Sequence, residues 1–364
     1  MRLLFVVDSF SGGAGNVTQI LSQAFSKKNY DVSILLLNGK RVEPKHDLSG
    51  IKVVDYALGK YAPGKTPVDR IFKAIVALRK QINTINPDVI ISFLTELNIL
   101  CCMANNRKIP LIVSERNDPF KEVIKKYWAV LRGLEYKKAD KIVVQCSNFR
   151  QLAKGKFVDK TVVIPNPILR PPILKKPEVI HNPLKIVSMG RLTKQKNFIW
   201  MIDRMVELRN VTNDFILSIY GAGEQEEELK SYIDKKGISE NVQLVGYADE
   251  PYSILAESDI YLMTSDYEGF PNALSEAMAV GLPSISRCCH EGIKDLVKDG
   301  ENGFLVSLGD SHKFVARISQ ISTDKNIRNS MSFNAQKVTS DFGVDSIIAI
   351  WEREILQICK MPGG

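Results

Sequence analysis

The chain has 364 residues, enough for two domains of ordinary size, and its 45% hydrophobic content suffices for their cores. No apolar run reaches the roughly 18 to 20 residues of a membrane span, and Arg2-Leu3-Leu4-Phe5-Val6-Val7 is cut by Asp8 before it can act as a secretory leader, so a cytoplasmic protein is expected. The net charge of +8 is lopsided: residues 1–170 hold 28 Lys and Arg against 14 Asp and Glu, which suits an anionic membrane leaflet better than nucleic acid, since no basic-aromatic nucleic-acid motif appears.

From the N-terminus, an apolar strand Leu3–Val7 leads into Ser11-Gly12-Gly13-Ala14-Gly15. Pro67–Ile82 reads as a helix with Arg70, Lys73 and Lys80 on one face, beside Ile71, Phe72, Ile75, Val76 and Leu78. That cationic row either holds the diphosphate of a lipid-linked acceptor or is a solvated face. Leu94-Thr95-Glu96-Leu97-Asn98 and Ile112–Asp118 follow the same strand-to-loop pattern, the first a candidate lining of the acceptor side. Phe120–Lys138 places Phe120, Val123, Ile124, Tyr127, Trp128, Leu131 and Leu134 on one helical face, with lysines and Arg132 elsewhere. It is a core-packing helix with a basic outer side, or one that also touches a membrane. A first domain therefore spans 1–167. The prolines at 171, 172, 177 and 183 mark 168–183 as a linker.

A second domain spans 184–340. Strand Lys185–Met189 ends in a loop carrying Arg191 and Lys196, with Asn197 placed to cap the next helix. Two fixed cations beside a helix N-terminus are what a diphosphate needs when no metal neutralises it. Strand Leu217–Tyr220 precedes Gly221-Ala222-Gly223, which lacks the third glycine of a dinucleotide fingerprint. Tyr247 and Ala248 follow strand Val242–Val245. The most informative stretch comes after strand Ile260–Thr264, where Glu268-Gly-Phe-Pro-Asn-Ala-Leu-Ser-Glu276 turns into helix Asn272–Val280, stopped by Gly281-Leu282-Pro283. Its two carboxylates flank free first-turn amides, a ready anion site. The helix near Val344–Ile358 closes a segment 341–364. Alternating strands and helices predict two parallel, doubly wound sheets. The six cysteines and four histidines show no metal-ligand spacing, so reduced thiols and no metal are expected.

Taken together, Arg191…Lys196, Gly221-Ala222-Gly223, Glu268…Glu276 and Asp299-Gly300-Glu301-Asn302-Gly303-Phe304-Leu305-Val306 resemble the family-4 retaining glycosyltransferases of the GT-B type. Ser11–Gly15 and Val163-Ile164-Pro165-Asn166-Pro167 are similar to that family's glycine loop and interdomain junction. The resemblance implies an α/β GT-B fold, two Rossmann-like domains facing each other across a cleft, and a last helix that crosses back to the first domain. It implies hexose or N-acetylhexosamine transfer from a nucleotide sugar, without metal or cofactor. The Ser114–Pro119 stretch further suggests a UDP-sugar and bacterial surface-glycan assembly. The basic first domain, the Phe120–Lys138 helix and the row Arg70, Lys73 and Lys80 suggest a polyprenyl-diphosphate-linked acceptor and a peripheral place on the inner face of the plasma membrane.

By the same resemblance, Glu276 meets the ribose and Glu268 the transferred sugar. Arg191, Lys196 and the amides around Phe270, Pro271, Asn272 and Ala273 meet the diphosphate, Gly12 and Gly13 approach it from the other domain, and Tyr247 and Ala248 face the base. The pattern departs at Arg116, where many relatives carry histidine. An arginine neutralises a phosphate or orients a sugar but is no general base, which leaves Glu115 or Asp118 as candidate acid-base groups. A nucleotide-sugar epimerase and a non-catalytic sugar-nucleotide-binding adaptor are the competing readings; the intact Arg191, Lys196, Glu268 and Glu276 set argues against the adaptor. A nicotinamide enzyme lacks its glycine fingerprint after the first strand.

Overall fold

A computed structural model describes residues 1–38, 43–56, 66–106, 109–119, 121–122, 124–153 and 157–360. The chain divides into two units, Met1–Pro167 with Val344–Gly364, and Ile168–Gly343. Each is a parallel sheet with helices on its faces, as strands with buried side chains on both sides require.

The first unit has seven strands: β1 Arg2–Val7, β2 Asp31–Leu36, β3 Lys52–Asp55, β4 Val89–Phe93, β5 Leu111–Ser114, β6 Lys141–Val144 and β7 Thr161–Val163. Their order is β3-β2-β1-β4-β5-β6-β7, so the winding reverses between β1 and β4. Helices α1 Gly12–Lys27, α2 Pro67–Ile85, α3 Thr95–Ala104 and α4 Lys126–Glu135 cover it. Ala74, Leu78, Leu97 and Trp128 fill one face. Val17 and Leu21 share the other with Ile347, Trp351 and Ile355 of the last helix.

The second unit has six strands: β8 Leu184–Met189, β9 Phe215–Tyr220, β10 Val242–Gly246, β11 Ile260–Met263, β12 Ser284–Arg287 and β13 Phe304–Val306. Their order, β10-β9-β8-β11-β12-β13, reverses between β8 and β11. Its helices are α5 Phe198–Arg209, α6 Glu226–Lys235, α7 Pro251–Ala256, α8 Asn272–Val280, α9 Ser311–Thr323, α10 Lys325–Ala335 and α11 Val338–Asp341, and the last helix of the chain, α12, runs Val344–Lys360. In such sheets ligands bind beyond the strand ends at the reversal.

Two expectations need correction. Helix α4 starts at Lys126 rather than at position 120, because the Asp118 carbonyl accepts the amides of Lys121 and Glu122 in a separate turn (3.3 and 2.8 Å). The expected face splits: Ile124, Trp128 and Leu131 pack on the core, while Tyr127 and Leu134 are exposed. Phe120 and Val123 lie outside the described residues. The proline-rich stretch 168–183 is not a free tether but part of the second unit. The Ile168 amide donates to Phe342 O (2.8 Å) and the Lys175 amide to Val280 O (2.9 Å). The Lys175 ammonium is buried beside Asp259 at 3.4 Å, and burial holds it below the usual lysine range. An isolated buried charge is costly, and Asp259 offsets that cost.

Candidate functional site

The loop leaving β8 is built on close backbone contact. A Cβ on Gly221, which sits at φ +147°, lies 1.9 Å from the Gly190 carbonyl oxygen, and one on Gly223 lies 2.3 Å from that of Leu192. Glycine there lets the end of β9 press against the Arg191 loop, so Gly-Ala-Gly is a packing device. The loop turns through Lys194–Lys196 into Asn197, whose backbone is left-handed (φ 50°). Asn197 Oδ1 accepts the Trp200 amide (3.2 Å) and caps α5, and its Nδ2 donates to Asp266 Oδ1 (2.9 Å).

On the other side of the reversal, the loop after β11 closes onto the first. Thr264 Oγ1 lies 3.1 and 3.2 Å from the carbonyl oxygens of Lys196 and Asn197. The Asp266 amide donates to Gln195 O (2.9 Å), and Gln195 Nε2 donates to Tyr267 O (2.8 Å). Glu268 is 6% exposed. Its Oε1 accepts Lys196 Nζ and Ser265 Oγ, both at 2.5 Å. A small cleft lined by Lys196, Ser265, Pro271 and Ala273 lies between these loops and the start of the next helix.

Helix α8 then presents an uncapped N-terminus. Pro271 is its N-cap residue, no side chain caps it, and its first turn carries no acid. The amides from Asn272 onward and the helix dipole therefore favour an anion. Gly281 ends the helix in the left-handed region (φ 86°). Glu276 is half-buried on α8. Burial, and then the Glu276 carboxylate, push the Tyr252 phenol of α7 well up. Tyr261 is raised by burial first and by Glu268 and Glu276 next.

The structure thus brings Lys196, Glu268 and the start of α8 together, with Phe270 buried beneath on the edge of Phe342 (5.9 Å between centroids). Arg191 is exposed, and no ion pair to it occurs among the described residues. Tyr247 and Ala248 follow β10, two strands from β8, and Tyr247 is 80% exposed. Among the described residues no three His, Cys, Asp or Glu side chains gather as metal ligands.

In the first unit, Gly12 begins α1 at φ 69° and, like Gly13, is exposed. No side chain caps that helix and no acid lies in its first turn, a second open anion site. Arg116 follows β5. Its guanidinium lies 4.4 Å from the Phe93 ring centroid, and Nη1 donates to Asn166 Oδ1 (2.6 Å), which also accepts Gln145 Nε2 (2.6 Å). Nε and Nη2 are sealed from solvent without a hydrogen-bond partner. Burial pushes the group down to about 9, so it stays cationic at neutral pH.

Glu115 and Asp118 are both buried and tied into interior hydrogen bonds. Glu115 accepts Thr95 Oγ1 (2.6 Å) and Tyr136 Oη (2.5 Å), with Arg132 of α4 at 4.0 Å. Asp118 is buried and accepts the Lys121 amide (3.3 Å). Thr95 and Asn98 point into the same interior network, Asn98 Nδ2 donating to Ser114 O (3.0 Å) and Tyr136 Oη (3.1 Å), rather than lining an open acceptor side.

Comparisons with known proteins agree with this architecture. The family model described as Glycosyltransferase Family 4 matches residues 11–168, and that described as Glycosyl transferases group 1 matches residues 170–338. The chain is 26% identical to GalNAc-alpha-(1->4)-GalNAc-alpha-(1->3)-diNAcBac-PP-undecaprenol alpha-1,4-N-acetyl-D-galactosaminyltransferase of Campylobacter jejuni, over 98% of this chain and 99% of that protein. It is 26% identical to the amylovoran biosynthesis glycosyltransferase AmsD of Erwinia amylovora, over 96% and 98% of the two chains. Among solved structures, Anabaena HepE in complex with UDP and glucose superposes with a TM-score of 0.81 at 18% identity, covering 98% of this chain and 99% of that one.

Proposed function

Because the chain belongs to the family-4 glycosyltransferases of the GT-B type, we propose that it transfers a hexose or N-acetylhexosamine from a UDP-sugar, with retention and without a metal, to a polyprenyl-diphosphate-linked glycan in bacterial surface-polysaccharide assembly. The observation that carries the reading is the Lys196–Glu268 pair at the sheet reversal, beside the open N-terminus of α8. A departing diphosphate gains from cations and amides already in place, the electrostatic stabilisation that lowers such barriers most. In this reading Arg191, Lys196 and the amides from Phe270 to Ala273 take the diphosphate. Glu268 meets the sugar, Glu276 the ribose, and Tyr247 with Ala248 the base. Gly12 and Gly13 at the start of α1 are the first unit's own anion site, and Arg116 in that unit is a cation and no general base, since a guanidinium has no acceptor. The lipid-linked acceptor is supported by the name of the Campylobacter relative, and the donor by the UDP in HepE.

The test is a thermal-shift screen against UDP-, GDP- and ADP-sugars. A ligand at about 100 times its dissociation constant stabilises by roughly 2.7 kcal/mol, a readily seen shift. UDP-sugars are expected to raise the melting temperature and turnover to survive saturating chelator. Stabilisation by GDP-sugars alone overturns the donor, and strict dependence on Mg²⁺ or Mn²⁺ overturns the metal-free mechanism.

A further inference from the structure

We propose that Arg287 is a positioning residue for Glu268, an inference that rests on the reading of the β8–β11 reversal as the sugar-nucleotide site. Arg287 is the last residue of β12, which pairs with β11 in the register Leu262↔Ile285, Met263↔Ser286. It therefore stands beside the point where the chain leaves β11 for the Glu268 loop. Its Nη1 donates to both Thr264 O and Asp266 Oδ1, each at 2.8 Å. One nitrogen thus holds the first backbone carbonyl of the loop and a carboxylate two residues on.

The guanidinium is itself fixed. It is 7% exposed and lies 4.7 Å from the ring centroid of Trp200, a ring that receives Arg204 at the same distance. Asp266 passes the constraint onward, because its Oδ1 also accepts Asn197 Nδ2 at 2.9 Å. Asn197 follows Lys196, whose ammonium grips Glu268 at 2.5 Å. Arg287, Asp266, Asn197, Lys196 and Glu268 form one chain of contacts across both loops.

An arginine is an expensive way to hold a loop, since Nε is buried without a partner and the ion pair to Asp266 is half open to water. What it provides is direction: the planar guanidinium stacks on Trp200 and so aims Nη1 at a carbonyl and a carboxylate at a fixed angle, whereas an ammonium on a flexible stem has no plane to stack. Arg287 acts through Glu268, so removing it lowers turnover while leaving the diphosphate contacts of Arg191 and the α8 amides in place.

The experiment is a double-mutant cycle on the full chain with Arg287→Met, Glu268→Gln and the pair, measuring kcat, donor KM and the inhibition constant of UDP. Arg287→Met is expected to lower kcat at least thirtyfold and to change the UDP constant less than threefold. In the Glu268→Gln background it is expected to cost less than threefold more. Arg287→Lys keeps the charge but is expected not to rescue turnover. If Arg287→Met does not fold, Asp266→Asn opens the same clamp from its exposed side and enters the cycle in its place. An active wild type with an additive cycle, rescue by lysine, or an equal loss in UDP binding and kcat overturns the role of Arg287 while the donor reading stands. A wild type that binds no nucleotide sugar overturns both.

Discussion

Lys196 and Arg191 flank the same loop, yet the fold treats them differently. Lys196 is tied to a nearly buried Glu268, whereas Arg191 is exposed. Removing one partner of a shielded pair leaves an uncompensated charge, so Lys196→Ala is expected to lower both turnover and the melting temperature. On the proposed reading, Arg191→Ala removes a contact made only to ligand, since the side chain is exposed in the fold. It should weaken the donor by about tenfold or more, the scale of one charged hydrogen bond, and leave the melting temperature within about a degree. Calorimetry beside kcat/KM separates the two, and equal thermal losses contradict the assignment. A pH effect belongs to Glu115. Burial raises its pKa above the ordinary 4.5, with Arg132, Thr95 and Tyr136 opposing. A carboxyl raised in the folded state binds its proton more tightly there. Its contribution is fully present below about pH 4.5 and is lost as pH climbs through the raised value. Glutamine keeps the hydrogen-bonding shape without ionising. Glu115→Gln should therefore gain stability relative to wild type between acid and neutral pH, as read by urea unfolding; a difference that stays flat with pH argues against it.

Whole elements were legible where their cause is local. Helix α8 lies where Pro271, the Ala-rich run and Gly281 place it, and α5 starts at its Asn197 cap, because caps and left-handed stops are written within a few residues. The direct Glu268–Lys196 contact was not readable, since the two loops stand 72 positions apart and meet only through sheet topology. Arg287 gave no sign, because an arginine at the end of a short apolar strand looks like solvent-facing charge until β12 sets it beside β11. The single amphipathic face drawn over residues 120–138 held in part, since Ile124, Trp128 and Leu131 pack on the core, but apolar spacing does not say that Asp118 closes a separate turn before α4 begins, or that Tyr127 and Leu134 face outward. Helix α12 is a further test at this scale. Its Trp351 is fully buried in the first unit's core beside Phe93, and Glu354 meets Lys141 of β6 at 3.0 Å. Trp351→Ala is expected to cost about 3 to 5 kcal/mol by urea unfolding, the range for a large buried aromatic. A loss under about 1 kcal/mol would show that α12 is an appendage.

For the molecule as a whole, the distribution of charge and exposed apolar side chains bears on where it works. No helix among the described residues is long and apolar enough to cross a membrane. In the basic first 170 residues, α2 exposes Val68, Phe72 and Val76 at 76, 65 and 51%, and α4 exposes Val130 and Leu134 at 63 and 54%. Both helices pack on the same core cluster, through Ala74 and Leu78 and through Trp128. Arg70, Lys73 and Lys80 are exposed along α2, with Lys73 paired to Asp69 at 3.2 Å. Apolar side chains held outward among lysines gain from an anionic bilayer in two ways, by burying area and by about 1 kcal/mol per basic residue near the surface. The electrostatic part must fade with salt, as the Debye length falls from about 10 Å at 0.1 M to about 3 Å at 1 M. The protein is therefore expected to co-sediment with vesicles rich in anionic phospholipid at low salt and to be largely released at high salt, with Val130→Glu plus Leu134→Glu reducing binding at both. Arg70→Glu with Lys73→Glu should raise the acceptor KM far more than the donor KM, the outcome expected on the proposal that this cationic row meets a diphosphate-linked acceptor. Vesicle binding indifferent to lipid charge, together with an unchanged acceptor KM, reduces both helices to solvated faces of the first unit.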